Sequence, residues 1–388
     1  MQEDFHYYAT YCAAYIAGYT HEECLKICYS AQLVDLCSKT FLIRIGGPLQ
    51  AATTQLSLEM MDIRKDVLGL QEITRIWASF HFLPYDLYAK VDKKVCKKYL
   101  YKYRLICDTN SDLLVETVNL AKNNGLEAIG LSMHILADTW AHRYFAGTPS
   151  LVINNPSGFV ELVEENGELK ERKMKFRNSP FKADDLENGI FTSSMIQSNE
   201  NTIMNLGHGR AGHLPDYGFI RYKYMPAWKN YEEIVKDNPK DYYNAFCQMV
   251  YAFKFFRGEI KVFEKNTYAF DEVEKYKEKI NAILKVRQLS MSEDWKRFGE
   301  SLSNETIPPF DLTKYEKEYK EASEKDETYL GKFILAALKQ KSMVTNRIYK
   351  SKNPLAGISI DFNENGLKGM KEYFALLKHI KGGERWTY

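Results

Sequence analysis

The chain has 388 residues, of which 53 are Lys or Arg and 51 are Asp or Glu, so its formal net charge is only +2. A charge this close to zero excludes an acidic tail and a polybasic field for long nucleic acids. Hydrophobic residues make up 45% and charged residues 27% of the sequence, which is typical of a globular protein and excludes disorder throughout the chain.

The sequence does not predict export or membrane insertion. Its first residues, from Met1 to His6, include two acids and lack the positively charged and apolar regions of a signal peptide. No stretch approaches the roughly 18 uninterrupted apolar residues that a membrane-spanning helix needs. Seven cysteines without paired Cys-x-x-Cys spacing are typical of a reducing compartment. We therefore expect a cytoplasmic protein without a transmembrane segment.

Helical patterns dominate the first 210 residues. The predicted helices cover residues 3–18, about 20–39, 55–80, 110–124, 126–145 and 187–206. Thr20 and Glu23 form a capping box at the start of the second helix. Pro84 excludes helix just beyond the third, and Gly125 marks the boundary between the fourth and the fifth. These patterns predict a mainly α-helical fold.

Residues 157–176 differ, because apolar and charged residues alternate there on both sides of Asn166 and Gly167. An Asn-Gly pair in this setting favours a β-hairpin with a type I′ turn. From residue 229 onward the chain is rich in Lys, Glu and Tyr and predicts further helices. We therefore predict an α-helical core of residues 1–260, interrupted by a small β-hairpin, and a helical extension of residues 261–388.

The clearest candidate site lies in the predicted helix 126–145. His134, Asp138 and His142 are spaced at i, i+4 and i+8, so their side chains leave one face of the helix. An imidazole, a carboxylate and a second imidazole are suitable zinc ligands, and a carboxylate in the middle can bridge two metal ions. A buried hydrogen-bond network among the three side chains would explain the same pattern without a metal.

Other histidines and carboxylates lie in settings that favour the metal. His6 is on an otherwise apolar helix, and His81 is in an aromatic segment. Asp35 is predicted mid-helix among apolar residues, where an unpaired carboxylate would be costly. The remaining candidates, in and just after the glycine-rich run of residues 207–213, are His208, His213 and Asp216. Six of the eight histidines thus lie in such settings, which favours a metal site over scattered surface residues.

The order of these residues resembles the zinc-dependent phospholipase C and S1/P1 nuclease superfamily. In that pattern an early His precedes an Asp on the next helix, a His in a Ser-His-Phe-type segment, a His-xxx-Asp helix and late ligands. The matching residues here are His6, Asp35, His81 within Ser79-Phe80-His81-Phe82, His134 with Asp138, and then His142, His208 or His213, and Asp216. The resemblance covers about residues 4–216. It implies an all-α protein that holds three zinc ions in a cleft and hydrolyses phosphodiesters or phosphomonoesters.

The sequence departs from this pattern in its outer ligands. The superfamily's mature N-terminal residue binds one zinc through its amine and carbonyl; with no such cleavage evident here, Asp4 would replace it or that ion would be absent. His142 follows Asp138 more closely than the superfamily's next His does, and His208 and His213 are not followed by a His-xxx-Glu pattern. The metal count therefore stays open, as does manganese or iron in place of zinc. Residues 4–18 are also similar to an uncharacterised bacterial family, which implies no activity.

In such a site, Asp35 or Asp138 would orient the attacking water or act as general base. Arg210 and Arg143, each next to a candidate ligand, would bind phosphate oxygens. We expect a small phosphoester or nucleotide as substrate, because the near-neutral charge does not favour long nucleic acids.

Two other functions are compatible with parts of the sequence. A nucleotide phosphohydrolase of the HD type is disfavoured, because the sequence contains no adjacent His-Asp pair. The alternative from a different class is a non-catalytic interaction module, in which the metal is structural and the Lys- and Tyr-rich C-terminal helices bind a partner. Structural zinc sites are usually closed and rich in cysteine, whereas the candidates here are His and Asp, which favours the enzyme.

Overall fold

The computed structural model describes residues 1–63, 67–178, 182–193, 206, 209–360 and 366–381, and within them the chain is mainly α-helical, as predicted. The α-helices are α1 (Thr10–Ile16), α2 (His21–Leu33), α3 (Lys39–Ile45), α4 (Ser57–Ile63), α5 (Val67–Phe80), α6 (Lys97–Tyr103), α7 (Asp112–Ala121), α8 (Gly125–Ala141), α9 (Asn238–Phe256), α10 (Phe270–Val273), α11 (Lys277–Lys285), α12 (Ser292–Ser303), α13 (Thr313–Glu321), α14 (Tyr329–Lys350) and α15 (Met370–Lys381). The strands are β1 (Pro156–Glu165), β2 (Glu168–Lys173), β3 (Lys175–Arg177), β4 (Ile190–Thr192), β5 (Arg221–Pro226) and β6 (Ile234–Asp237).

The central element is α8, in which every residue from Glu127 to Ala141 is buried. It packs against α2, α9 and α14. The approach to α2 depends on Gly130, because a Cβ at this position would lie 2.2 Å from the carbonyl oxygen of Ile27. A helix that is surrounded on all sides carries its polar side chains into the interior. This burial brings His134 and Asp138 into the core.

The predicted helix over residues 3–18 begins as a π-helical turn, Asp4–Ala9, which continues into α1. All six residues of the turn are buried, and Phe5 packs edge-on against Tyr242 and Trp295. π-Helical turns are rare and occur frequently at functional sites. This turn holds the first residues of the chain against α2, α8 and α12.

Two predicted helices end earlier than expected. The capping box of Thr20 and Glu23 is confirmed, but α2 ends at Leu33, and Asp35 lies in the turn that follows rather than mid-helix. The turn is closed by backbone bonds from Asp35 to Gln32 and from Leu36 to Leu33, before Ser38 caps α3. Likewise α8 ends at Ala141 instead of residue 145, so His142 is its C-cap residue.

The β-hairpin is confirmed, since β1 and β2 are antiparallel and join at Asn166 and Gly167, which both have positive φ as a type I′ turn requires. It is only half of the sheet, however. The strand order is β2-β1-β5-β6, so residues 221–237 add two strands that the sequence analysis missed. The alternation of buried Tyr222 and Tyr224 with half-buried Arg221 and Lys223 is the signal that predicts β5.

The predicted helix over residues 187–206 is wrong where the structure describes it. Residues 190–192 form β4, which pairs in parallel with β3. Asp185 and Ile190 also exchange backbone hydrogen bonds. Hydrogen bonds to neighbouring extended segments therefore replace the helical bonds in residues 190–192. Residues 194–205 of the same prediction lie outside the described residues.

Helices that follow residue 260 share one hydrophobic core with those before it. The Tyr7 hydroxyl donates a hydrogen bond to the carbonyl of Pro308 (3.0 Å), and α14 packs against α5 and α8. The predicted boundary at residue 260 therefore divides elements that pack together. Within the part of the chain that the structure describes, no helix combines the length and the hydrophobicity needed to cross a bilayer.

Candidate metal centre

Five separate segments bring candidate ligands to one place in the core. His6 comes from the π-helical turn, Asp35 from the turn after α2, and His81 from the residue after α5. The other ligands come from α8, its C-cap and the turn of residues 214–216, and are His134, Asp138, His142 and Asp216. The structure thus brings together seven of the ten predicted metal ligands.

Asp138 lies at the centre of this cluster and is 1% exposed. Its Oδ1 atom is 3.1 Å from Nε2 of His6. Its Oδ2 atom is 3.0 Å from Nδ1 of His81, 3.2 Å from Nε2 of His134 and 3.5 Å from Nδ1 of His142. Four imidazoles therefore surround one carboxylate.

Three of these imidazoles are each held by a backbone carbonyl at one ring nitrogen, which is called the outer nitrogen. Nδ1 of His134 is 2.9 Å from the oxygen of Ala31, Nε2 of His81 is 3.1 Å from that of Thr53, and Nδ1 of His142 is 2.8 Å from that of His81. A carbonyl oxygen accepts only, so each of these outer nitrogens carries the proton. In the neutral ring the other nitrogen then presents a lone pair.

Those inner lone pairs face other acceptors. Nε2 of His134 lies 3.3 Å from Nδ1 of His81, and Nε2 of His142 lies 3.3 Å from Oδ1 of Asp216. Two acceptors approach this closely only when a proton or a cation lies between them. Protonation of all the rings would place like charges side by side in a buried site, which is unfavourable. The donor set therefore fits a metal cation.

Asp35 forms the open side of the cluster, since its side chain is 29% exposed. Its Oδ1 atom is 3.8 Å from Nδ1 of His81 and 3.8 Å from Nε2 of His134. Two sets of three residues have ligand atoms within 4.8 Å of one another, namely His6, Asp35 and His134, and His81, His134 and Asp138. The two sets share His134.

The α-amino group of Met1 lies in the same cluster, which the sequence analysis did not predict. It is 2.6 Å from Oδ1 of Asp138 and 3.3 Å from Oδ1 of Asp216. Burial on its own would lower the pKa of this amine, but the carboxylates of Asp138, Asp216 and Asp35 outweigh it and raise the pKa to about 11. An amine has no side chain to identify it in a sequence pattern, so only the fold reveals it.

The protonation states of His6 and Asp138 suit metal binding, whereas the Met1 amine is protonated at physiological pH in the absence of a metal. Burial, with the nearby His134 and Met1 amine, lowers the pKa of His6 to about 4, so this ring is neutral at physiological pH. Burial opposes ionisation of Asp138, but His142, the Met1 amine, His134 and His6 together hold its pKa well below the usual range. Neutral imidazoles and an ionised carboxylate are the forms that bind metal ions.

The remaining predicted residues lie at the edge of the cluster or elsewhere. Asp4 is not a substitute for the N-terminal amine: its Oδ2 atom accepts a hydrogen bond from the backbone N–H of Met291 (2.9 Å), and burial raises its pKa to about 6. His213 is 55% exposed, with Nδ1 3.6 Å from Oδ2 of Asp216. Arg210 is half-buried in the same turn, and His208 lies outside the described residues.

Arg143 does not point to the cluster, contrary to the expectation that it binds phosphate. Its guanidinium pairs with Asp108 (2.8 Å) and Asp241 (3.2 Å). Asp241 also binds Lys236, whose ammonium donates to the carbonyl of Trp140 near the end of α8. This buried charge network contacts the C-terminal end of α8. No local sequence pattern indicates its ion pairs, because the paired residues are far apart in the chain.

The fold and the cluster define a mainly α-helical protein with a buried centre of histidines and aspartates. Residues 1–348 match the model of a family of unknown function, DUF6765, and the chain belongs to that family. The comparisons with curated proteins and with solved structures found no match. The chemistry of this chain is therefore inferred from its own residues.

Proposed function

We propose that this chain is a metal-dependent hydrolase of phosphoester bonds with a phospholipase C/P1 nuclease-like core. Its centre would bind two or three divalent ions. Zinc is the metal we expect, with manganese or iron as alternatives. The observation that carries the proposal is the orientation of His81, His134 and His142. Each donates its outer N–H to a backbone carbonyl and turns its inner nitrogen toward carboxylates. Metal-binding histidines are held in this way by their second ring nitrogen.

The number of ligands supports more than one ion. A zinc ion in a protein is usually bound by four ligands, and this cluster offers four imidazoles and three carboxylates, besides the Met1 amine, which binds a metal only after it loses its proton. Asp138 turns one oxygen toward His6 and Met1 and the other toward His81 and His134. A carboxylate between two groups of ligands is suited to bridge two ions.

The open side of the cluster supports a catalytic site rather than a structural one. Structural zinc sites are closed, whereas catalytic sites keep a position that solvent or substrate reaches. The partly exposed carboxylate of Asp35 gives the cluster such a side, and the exposed ring of His213 lies at its edge, 3.6 Å from Asp216. Substrate would approach the metal ligands past Asp35.

Divalent ions at this position would polarise a phosphoryl oxygen and make a water nucleophilic at neutral pH. Asp35, on the open side, would orient that water or accept its proton, and Asp138 is the second candidate for this role. Arg210, in the turn that contains His213, would bind phosphate oxygens. A small phosphoester or nucleotide in the cytoplasm is the substrate class we propose.

The resemblance to the zinc-dependent phospholipase C and S1/P1 nuclease superfamily adds to this proposal. In that superfamily the N-terminal residue binds one zinc through its amine, and here the amine of Met1 is 2.6 Å from the central carboxylate of Asp138. Asp4 is then not needed as a replacement ligand. His6, Asp35, His81 and His134 follow one another along the chain in the order that the resemblance implies. They lie together in the cluster around Asp138.

The alternative of a non-catalytic interaction module has less support. It uses the tyrosines of the C-terminal helices to bind a partner. Tyr319 and Tyr329 are buried, and Tyr315 stacks on Tyr329 with ring centroids 4.1 Å apart. Tyr319 and Tyr329 therefore stabilise the core and do not contact another protein, whereas Tyr349 of α14 is 49% exposed.

The proposal is tested by elemental analysis of the purified chain, with hydrolysis of p-nitrophenyl phosphate and bis(p-nitrophenyl) phosphate measured with and without a chelator. We expect two or three metal ions per chain and hydrolysis that the chelator abolishes. His134→Ala should lose metal and activity. His21→Ala is the matched control, because His21 bonds only to Tyr11 among the described residues and lies outside the cluster.

Two results would contradict the proposal. Fewer than one ion per chain after reconstitution with zinc, manganese or iron would indicate that the histidines form a hydrogen-bond network without a metal. A full metal content without hydrolysis of either ester would favour the interaction module.

A further inference from the structure

A cavity of about 190 Å³ lies between α5, α14, α15 and the segment 354–360, and none of its lining residues belongs to the metal cluster. Its polar wall consists of Gln50, Glu72, Arg75, Lys341 and Ser359. Its apolar wall consists of Leu338, Ile358, Ile360, Tyr373 and Leu377. Pockets for drug-sized ligands measure roughly 300–1,000 Å³, so this one suits a smaller molecule.

Lys341 is the unusual residue of this cavity, because it is a lysine with only 5% of its surface exposed. Among the described residues, its ammonium donates one hydrogen bond, to the carbonyl oxygen of Gln50 (2.7 Å), and it lies 5.9 Å from the ring centroid of Phe80. An ammonium has three N–H donors. Within the part of the chain that the structure describes, no carboxylate lies within ion-pairing distance of it.

The carboxylate that lines the cavity is already paired with other cations. Glu72 lies 3.6 Å from Arg75 and 3.9 Å from Lys39. Among the described residues that line the cavity, Lys341 and Arg75 are cations and Glu72 is the one carboxylate, and Lys39 adds a further positive charge 3.9 Å from Glu72. A buried charge without a partner is costly, so the polar wall is complementary to an anion.

Burial lowers the pKa of Lys341 to about 8, which is the direction expected for an ammonium without a counter-ion. Glu72 and the Cys37 thiol raise this pKa, and Lys39 and Arg75 lower it. At neutral pH the side chain is therefore charged inside the cavity. An anion next to it would stabilise that charged form.

We propose that this cavity binds a small amphipathic carboxylate, with its carboxylate paired to Lys341 and its apolar chain against Leu338, Ile360 and Leu377. The two walls supply the two halves of this recognition. The charged wall selects the carboxylate, and the apolar wall excludes water from the chain. The site is separate from the metal centre and does not depend on the function proposed for it.

The test is calorimetric titration of the full chain with hexanoate as the probe. We expect one saturable site in the unaltered protein, with binding at least tenfold weaker in Lys341→Met. Lys339→Met is the matched control, since Lys339 is on the same helix but donates to Asn124 away from the cavity. Hexanol lacks the charge and acetate lacks the chain, so each should bind at least tenfold more weakly than hexanoate.

Several outcomes would overturn the proposal. Equal affinity of Lys341→Met and the unaltered protein, or the absence of saturable binding, excludes Lys341 as the anchor. Inorganic phosphate binding as tightly as hexanoate contradicts the choice of an amphipathic carboxylate.

A second variant and a measurement without mutation guard against a folding defect. Ile358 is 58% exposed at the cavity wall, so Ile358→Asp should leave the fold intact and weaken hexanoate binding through charge repulsion. In the unaltered protein, hexanoate should slow reductive methylation of Lys341, as measured by mass spectrometry, and leave that of Lys339 unchanged. Unchanged methylation of Lys341 at saturating hexanoate would contradict the proposal.

Discussion

The α-amino group of Met1 lies 2.6 Å from Oδ1 of Asp138, so the first residue of the chain contacts the last turn of the central helix α8, 137 residues further along. The amine is fully buried and is also 3.3 Å from Asp216. The π-helical turn Asp4–Ala9 makes this contact possible, because it packs the start of the chain against α2, α8 and α12. The metal centre and the packing of the N-terminal segment are therefore one structural feature.

An extension before Met1 should disrupt the centre. Adding two residues, such as Gly-Ser, converts the amine into an uncharged amide and requires space in a fully buried position. Breaking a buried ion pair costs roughly 3–5 kcal/mol, so we expect a comparable fall in the free energy of unfolding and the loss of at least one metal ion per chain. Urea denaturation and elemental analysis measure the two effects.

The matched control is the same two residues added after Tyr388. An N-terminal extension that leaves stability and metal content equal to those of this control would show that the Met1 amine is not part of the centre. A loss confined to the N-terminal extension would support the amine as a ligand.

The candidate site could be predicted from the sequence only where its residues are close in the chain. His134, Asp138 and His142 are visible through helical spacing, and His81 through its aromatic segment. The Met1 amine and the carbonyls of Ala31 and Thr53 have no sequence pattern, because backbone groups exist at every residue. Their roles depend on which helices meet, which is a property of the tertiary packing.

The fold, too, could be predicted from the sequence only where its signals are local. The capping box and the Asn-Gly hairpin turn are local signals, and both are present. The end of α2 at Leu33 is not local in origin, since Thr53 closes the following turn by donating its hydroxyl to the carbonyl of Val34 (2.6 Å). Strand β4 likewise depends on its pairing with β3. Since β3 lies outside residues 187–206, the pattern of those residues alone does not predict the strand.

Gly130→Ala should destabilise the contact between α2 and α8. The added Cβ would lie 2.2 Å from the oxygen of Ile27 and 2.7 Å from Cβ of Ser30, so the helices must separate. Overpacking of a core costs roughly 1–3 kcal/mol, and the separation would also lengthen the bond from His134 to Ala31. We expect this loss of stability in urea denaturation, together with weaker zinc binding.

Ser132→Ala is the control for that variant, because Ser132 is on the same helix and, among the described residues, its hydroxyl bonds only to Ile129 of that helix. It should retain zinc affinity. If Gly130→Ala binds zinc as tightly as Ser132→Ala does, the spacing of α2 and α8 does not set the geometry of the centre.

Asp241→Asn should be strongly destabilising because of Lys236. The Lys236 ammonium is 1% exposed and 2.6 Å from Oδ2 of Asp241, and burial lowers its pKa. Removing the carboxylate charge leaves a buried ammonium without its partner, at a cost of roughly 3–5 kcal/mol in the free energy of unfolding. The double variant Lys236→Met with Asp241→Asn should recover most of that loss, since no unpaired charge then remains. Equal stability of the single and double variants in urea denaturation would contradict this account.

Lys341→Met should stabilise the protein, by an amount that depends on pH. The pKa of Lys341 is about 8 in the folded chain against 10.5 for a free lysine, so burial of its charged form opposes folding. This penalty is complete below about pH 8 and is relieved as the pH rises toward 10.5. The shift corresponds to about 3 kcal/mol, and loss of the bond to Gln50 offsets about 1 kcal/mol of it.

We therefore expect Lys341→Met to raise the free energy of unfolding by about 2 kcal/mol at pH 7, with the gain shrinking between pH 8 and pH 10. Urea denaturation of both proteins across this range measures it, with Lys339→Met as the control. Saturating hexanoate should reduce the gain at pH 7, because a bound carboxylate stabilises the Lys341 ammonium of the unaltered protein. A gain that is constant from pH 7 to pH 10 would show that the buried charge is not its cause.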